Sequence, residues 1–301
     1  MTNKARVWLQ AARLRTLPLS ISGILVGNGY SLSHPRFSWV LFYLMLTTAI
    51  LFQIISNFAN DYGDGVKGTD NANRVGPQRA LQAGLLTPTE LKRGIILISL
   101  LALVVSFVAL FLAFGLTSIP YFIVFLFLSL ASVWAAISYT VGKNAYGYSG
   151  LGDLFVFLFF GLLSVLGSYF VQTQTITSEV VLLALVVGFL SVGVLNLNNM
   201  RDRENDATVG KTTMVVWLGP ARAKSYHYLL LVAAMTLILI VFIKETYTYF
   251  WLPFLALGPL GLHFFRVSRN KNPKTLDPEL KTLALSTFAF SVLSFITFYL
   301  S

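Results

Sequence analysis

Residues 51–64 read Leu51-Phe-Gln-Ile-Ile-Ser-Asn57-Phe-Ala-Asn60-Asp61-Tyr-Gly-Asp64, the end of an apolar run that begins near residue 38. A run of this kind has the roughly 20 apolar residues that a membrane-spanning helix needs, yet it closes on carboxylates. The pattern returns 141 residues later in Asn198-Asn199-Met-Arg201-Asp202-Arg-Glu204-Asn-Asp206, again after an apolar run and with the same Asn-x3-Asp spacing. Five of the 12 acidic residues of the chain sit in these two segments. Carboxylates at the ends of membrane-length helices are costly unless something cationic is held there.

The rest of the chain agrees with that first helix. It has 301 residues, 56% hydrophobic and 11% charged, which excludes an ordinary soluble domain. Nine stretches read as spans: about 16–34, 38–60, 94–115, 118–139, 151–172, 179–199, 225–243, 247–265 and 282–300. They are apolar all round and lack the alternation of a membrane β-barrel. The expected fold is therefore all-α, a polytopic membrane protein with nine transmembrane helices in a single domain over 1–301. There is no cysteine for a disulfide or a thiolate metal site. With the N-terminus in the cytoplasm, 20 of the 22 lysines and arginines fall on the cytoplasmic side, leaving Arg36 and Lys244 outside. Topology thus accounts for most of the net charge of +10, and nucleic acid is not an expected partner.

Residues 1–15 form a cytoplasmic basic segment, either a short interfacial helix or an orienting tail. The cytoplasmic loops 61–93, 140–150 and 200–224 are where function is expected, because loops on a rigid scaffold carry it. Thr87-Pro88-Thr89-Glu90 predicts a capping box with a proline at the first helical position. Asp277-Pro278 predicts a cap before the last helix, and Gly219-Pro220 a break before the seventh. The two motifs lie four helices apart, hence on one face, as two parallel four-helix repeats plus one helix would place them. An inverted repeat would place them on opposite faces.

Asn57, Asp61 and Asp64 are spaced i, i+4, i+7, and Asn198, Asp202 and Asp206 i, i+4, i+8, so each set lies along one helical face. Oxygen ligands without histidine or cysteine suit Mg²⁺, which is held by a few carboxylates together with water and substrate phosphate oxygens. Lys67 and Arg74 follow the first motif, Arg201 lies inside the second and Lys211 follows it; such cations suit phosphate. One motif alone would read equally well as solvated loop charge, but two in matching register on one face favour a paired diphosphate site. Tyr139-x3-Lys143 ends the fourth helix, where Lys143 could reach a phosphate and Tyr139 either a substrate or the interfacial aromatic belt. Asp153 opens the fifth helix, where a negative charge is favourable. His34, His227 and His263 are scattered along the chain, and Leu154–Phe160 reads better as lipid-facing surface than as a channel wall.

These motifs together resemble the UbiA superfamily of intramembrane aromatic prenyltransferases, over nearly the whole chain. Arg13-Leu-Arg15-Thr-Leu-Pro18, Asn60–Asp64 running on to Lys67-Gly68-Thr69-Asp70, Gly76-Pro77-Gln-Arg79 with Gly84-Leu85-Leu86, and Gly150-Leu-Gly152-Asp153 are similar to the members that act on 1,4-dihydroxy-2-naphthoate. The resemblance implies Mg²⁺ held by Asn57, Asp61, Asp64, Asp202 and Asp206, with those four aspartates as the catalytic set. Lys67, Arg74, Lys143 and Arg201 would neutralise the diphosphate of a polyprenyl diphosphate, and Tyr139, Asn198 and Asp153 are candidates for substrate contact. It further implies loss of CO₂ from the ring to give demethylmenaquinone, in the lipid of a bacterial cytoplasmic (inner) membrane. The chain departs from the general pattern at Gly68, where a third aspartate is usual and Asp70 follows two residues later. Two rival readings share these features: prenylation of another acceptor, such as 4-hydroxybenzoate or homogentisate, and a secondary transporter. A transporter would place ionisable residues at mid-bilayer, and no run carries one there.

Overall fold

The computed structural model describes residues 4–71, 75–243 and 248–301; Arg74, one of the expected phosphate-binding cations, and Lys244 lie outside them. Among the described residues every regular element is helical: α1 (Lys4–Ala12), α2 (Leu17–Tyr30), α3 (Trp39–Val66), α4 (Pro88–Phe114), α5 (Ile119–Ser138), α6 (Gly152–Thr173), α7 (Ser178–Thr208), α8 (Met214–Ile243), α9 (Leu257–Arg269) and α10 (Asp277–Leu300). Seven of them, α3 to α8 and α10, are long and apolar enough to cross a membrane, which makes the chain a multi-pass membrane protein. The expected spans 16–34 and 247–265 are realised as shorter helices, α2 with 14 residues and α9 with 13. At ~1.5 Å per residue each is about 20 Å long, less than a ~30 Å hydrocarbon core. A 3₁₀ turn precedes each of them, Leu14–Thr16 and Leu252–Ala256.

Helix boundaries shift where the chemistry lies. α3 continues to Val66 and α7 to Thr208, so both carboxylate motifs ride on helices rather than on the loops expected from 61 and from 200. The capping box forms as expected: Thr87 N–H donates to Glu90 Oε2 at 2.9 Å and Glu90 N–H to Thr87 Oγ1 at 3.2 Å. α8 starts earlier than residue 225 and is kinked at Gly219, whose φ of 74° no helix allows, just before Pro220. Asp277 does not cap α10; it is the first helical residue and its carboxylate goes to Arg201. The N-terminal basic segment is a helix: α1 buries Val7, Ala11 and Ala12, and Trp8 packs edge-on to Phe58 of α3 at 5.1 Å.

The core has three clusters, the smallest of which joins α2, α3, α4 and α6 through Ile24, Leu41, Phe42, Leu110 and Val171. Val7, Ile55, Phe58, Leu91 and Ala102 join α1, α3 and α4. Val26, Val165, Leu190, Leu231, Leu260 and Phe290 join α2 and α6 to the α7–α10 bundle. α7 is the most enclosed span and α5 the least. In lipid, helices associate by close packing rather than by apolar burial, so small residues mark their crossings. Gly23 and Gly27 of α2 face Ser164 and Ser168 of α6, and Gly161 of α6 meets Gly188 of α7. A Cβ on Gly161 would lie 2.5 Å from the Gly188 Cα, which is backbone and cannot yield. Replacing Gly161 with alanine is expected to destabilise the protein by about 1–3 kcal/mol, whereas Gly258→Ala, where a Cβ meets nothing within 4 Å, should be neutral. Unfolding of the detergent-solubilised variants by denaturant measures the contrast.

Candidate active site

The first motif is bound to the segment that follows α3. Asp61 is 1% exposed, and its two oxygens accept the backbone N–H groups of Ala80 and Leu81 at 3.1 and 3.2 Å. Asp64, one helical turn on, receives Arg79 at 2.7 Å and the Tyr148 hydroxyl at 2.7 Å. Arg79 also reaches Asp70 at 3.0 Å and the Asn60 carbonyl. Its pKa is raised: burial works against the charged form, and Asp64 and Asp70 outweigh it. Asn57 turns its amide nitrogen towards Ala12 O (2.8 Å) and Thr16 Oγ1 (3.0 Å) and accepts Gln53 at 3.3 Å, so it ties the N-terminal segment to α3.

The second motif is locked by its own arginine. Arg201 donates from Nε and a terminal nitrogen to the two oxygens of Asp202 at 3.0 and 2.7 Å, a bidentate pair. It also bonds Asn198 Oδ1 at 2.9 Å and Asp277 of α10. Asp206 is buried, with the Lys211 ammonium 3.7 Å from its Oδ1.

Tyr148 joins the two motifs. Its hydroxyl lies 2.6 Å from Thr69 Oγ1, Thr69 O accepts Asn205 of α7 at 3.2 Å, and Tyr148 O accepts Thr212 N–H at 3.1 Å. Burial pushes the Tyr148 phenol above its ordinary pKa, and the neighbouring Asp64 pushes the same way, so it stays a donor. The Lys67 ammonium sits 4.0 Å from the centre of the Tyr148 ring and that of Lys211 5.5 Å. Burial lowers the Lys67 pKa, with Asp64 opposing and Lys211 adding to the fall.

A cavity of about 880 Å³ opens beside these groups. Its polar end carries Asp64, Arg79, Tyr139, Asn198, Arg201 and Lys211. Its other walls are mostly apolar, with Ile24, Met45, Leu110, Phe125, Leu163 and Val171 among them and serines such as Ser106, Ser129, Ser132 and Ser164 set between. Tyr139 therefore faces the cavity; burial pushes its phenol upwards too. The Leu154–Phe160 run divides: Leu154 is exposed, while Phe155, Phe159 and Phe160 line the cavity. Phe157–Gly167 is wound as a π-helix, a rare form that occurs frequently at functional sites. Residues four apart drift round an α-helix in one direction and round a π-helix in the other. The mixture therefore holds Phe155, Phe159, Leu163 and Gly167 on the cavity wall.

Of the expected residues, Asp64, Tyr139, Asn198 and Arg201 line the cavity, while Asp61, Asp202, Asp206 and Lys67 stand outside its lining, and three more are placed elsewhere. Lys143 is exposed and outside the cavity lining. Asp153 is buried behind Gly152 and accepts Tyr226 of α8. Asn57 serves the N-terminal segment, as described above. Conversely, Arg79, Tyr148, Thr69, Asn205 and Asp277 enter the site without having been singled out for it. Only Arg79 carried a signal, as a basic residue in the loop after the first motif. Arg13, Arg15 and Lys281 add further positive charge to the cavity wall.

The donor set fits a hard cation. Asp206 Oδ2 and Asn205 Oδ1 are buried oxygens without a hydrogen-bond partner. Among the described residues no three carboxylate or histidine side chains form a ready ligand cluster. Mg²⁺ does not require one, since it keeps waters and takes phosphate oxygens.

The model of the UbiA prenyltransferase family matches residues 20–292. The 1,4-dihydroxy-2-naphthoate octaprenyltransferase of Escherichia coli (strain K12) is 38% identical over 300 residues, 99% of this chain and 97% of that protein. The enzyme of the same name from Haemophilus influenzae is 37% identical over 296 residues, covering 97% and 96% of the two chains. A UbiA homolog from Archaeoglobus fulgidus, solved bound to DMAPP and Mg²⁺, shares the fold with a TM-score of 0.69 over 98% of this chain and 99% of that chain, at 16% identity.

Removing Arg79 would take from the buried Asp64 the guanidinium bonded to it at 2.7 Å, a change worth about 3–5 kcal/mol. Arg79→Ala is expected to melt well below the wild type in EDTA, and added Mg²⁺ should narrow the gap. Thermal unfolding with and without the metal tests both parts.

Proposed function

The chain belongs to the UbiA prenyltransferase family, and on that premise we propose that it transfers a polyprenyl group from polyprenyl diphosphate to 1,4-dihydroxy-2-naphthoate. The ring carbon that gains the prenyl group loses its carboxylate as CO₂ and diphosphate departs, so the immediate product is the hydroquinone form of demethylmenaquinone, whose oxidation to the quinone is a separate step. The observation that carries the reading is the cavity, with carboxylates and cations at one end and apolar walls along the rest. A polyprenyl diphosphate has the same two parts. Relatives named for this acceptor, nearly full-length and 37–38% identical, support the choice of acceptor.

Asp61, Asp64, Asp202 and Asp206 would hold Mg²⁺, with Asn57 and Asn205 nearby. Bound there with the diphosphate, the metal would supply Lewis acidity and charge neutralisation. Arg79, Arg201 and Lys211 already point at the carboxylates and are placed to receive the charge that develops on the departing diphosphate. The allylic C–O bond breaks, the electron-rich ring carbon attacks the resulting cation, and CO₂ leaves from that carbon. The apolar walls keep water from the cation. Tyr139 and Asn198, both on the cavity wall, are the groups placed to meet the acceptor. The membrane reading that accompanies this function has nine crossings, α2 and α9 completing the seven long spans. It has a cytoplasmic N-terminus, parallel four-helix repeats and the site on the cytoplasmic face of a bacterial inner membrane.

Purified protein given 1,4-dihydroxy-2-naphthoate, a polyprenyl diphosphate and Mg²⁺ is expected to release CO₂ and form the prenylated naphthohydroquinone, detected as the quinone after oxidation by air, and EDTA should stop it. Product from 4-hydroxybenzoate alone would overturn the acceptor and spare the chemistry. Asp61→Ala and Asp202→Ala are each expected to lower turnover at least about 100-fold while still inserting into membranes; near-normal rates would remove their assignment to the metal.

A further inference from the structure

The mechanism makes no use of a buried polar chain in the second half of the bundle. His227 of α8 and His263 of α9 face each other, Nε2 to Nε2, at 3.0 Å, and His263 Nδ1 lies 2.8 Å from Glu279 Oε2 of α10. Both histidines are 0% exposed and Glu279 is 9% exposed. Arg266 stands 3.7 Å from the other Glu279 oxygen. One tautomer set satisfies the contacts. His263 Nδ1–H donates to the carboxylate, and its bare Nε2 accepts His227 Nε2–H. That leaves His227 Nδ1 as an unprotonated acceptor, and it is the ring nitrogen without a partner. Every bond then has a direction, and each runs between different helices.

Both helices of the second motif rest on this chain. Glu279 lies in the first turn of α10, pointing away from the cavity, while Asp277 and Lys281 of the same turn line it. Asp277 clamps Arg201, which grips Asp202 with two bonds. On the other side the His227 ring borders α7 at Gly193, where an added Cβ would lie 3.8 Å from it, about two turns before Arg201. We propose that His227, His263 and Glu279 are positioning residues, a hydrogen-bonded strut that sets the first turn of α10 against α7 and so holds the Arg201–Asp277 clamp in register for the diphosphate. The clamp spans two helices that could otherwise slide or rotate past each other. The strut removes that freedom with contacts that have no exposed, water-bonded alternative.

The inference rests on the diphosphate reading above, and the experiment separates the two. The purified protein is titrated, with Mg²⁺ present, with geranyl S-thiolodiphosphate, an analogue whose leaving group departs slowly. Turnover is measured with each substrate varied. His263→Phe and Glu279→Leu are expected to raise the analogue Kd and the polyprenyl diphosphate KM about tenfold, within the range for coupling through a packed network. The acceptor KM should change less than about twofold. Glu279→Gln, which still accepts the His263 Nδ1–H, should stay near the wild type. In an Asp277→Asn background His263→Phe should cost little more, because its effect passes through the clamp. If His263→Phe does not fold, the Glu279→Leu and Glu279→Gln pair carries the same comparison. Additive losses, equal shifts in both KM values, or Glu279→Gln as damaging as Glu279→Leu would overturn the strut. A wild type that neither binds the analogue nor turns over would instead overturn the diphosphate reading itself.

Discussion

Carboxylates buried at the ends of apolar helices must meet a cation, and the architecture follows from how that need is satisfied. Asp64 and Asp202 are almost completely enclosed, and each is paired with an arginine at 2.7 Å. Leaving either carboxylate without its partner would cost several kcal/mol. The requirement folds the segment after α3 back, so that Arg79 reaches Asp64 and Asp70 while the backbone N–H groups of Ala80 and Leu81 donate to Asp61. It also brings the first turn of α10 to Arg201. The same pairs leave a cluster of alternating charge beside an apolar cavity, the environment in which a diphosphate can be held and released. A protein cation that balances a carboxylate in the resting state is also available to the leaving group.

The apolar part of the cavity has a different origin. It depends on close helix crossings made possible by glycine and serine, and on the π-wound stretch of α6 that keeps one series of side chains on the wall. The strut of His227, His263 and Glu279 lies behind that wall, in the half of the bundle that carries the second motif. Two layers therefore support the site: charge pairs that face the cavity, and directed hydrogen bonds that hold the helices bearing those pairs.

Much of this was legible from local pattern. The runs around 38–60, 94–115 and 179–199 are read by length and hydropathy alone, and each is a long helix in the structure. The Asn-x3-Asp spacing placed each motif on one helical face, which holds because α3 and α7 run straight through them. The Thr87–Glu90 box is a four-residue signal and formed as read. Asp277 was read as a cap on the same kind of evidence, but a partner 76 residues away in sequence outcompeted the local role. Hydropathy locates α2 and α9 but not their ends: α2 stops at Tyr30, short of residue 34, and α9 with its 3₁₀ turn runs 252–269 rather than 247–265.

The sequence by itself determined that this is a helical membrane protein with two matching carboxylate motifs, because run length, charge asymmetry and i, i+4 spacing are properties of neighbouring residues. Arg201 meets Asp202 next to it in sequence, but tertiary structure alone decided the distant pairings. Arg79 to Asp64 spans 15 residues, His227 to His263 spans 36, Arg201 to Asp277 spans 76, and Tyr148 to Asp64 spans 84. Such pairings depend on how helices cross and which faces they turn inward, and that is settled by packing across the whole bundle rather than by any one segment.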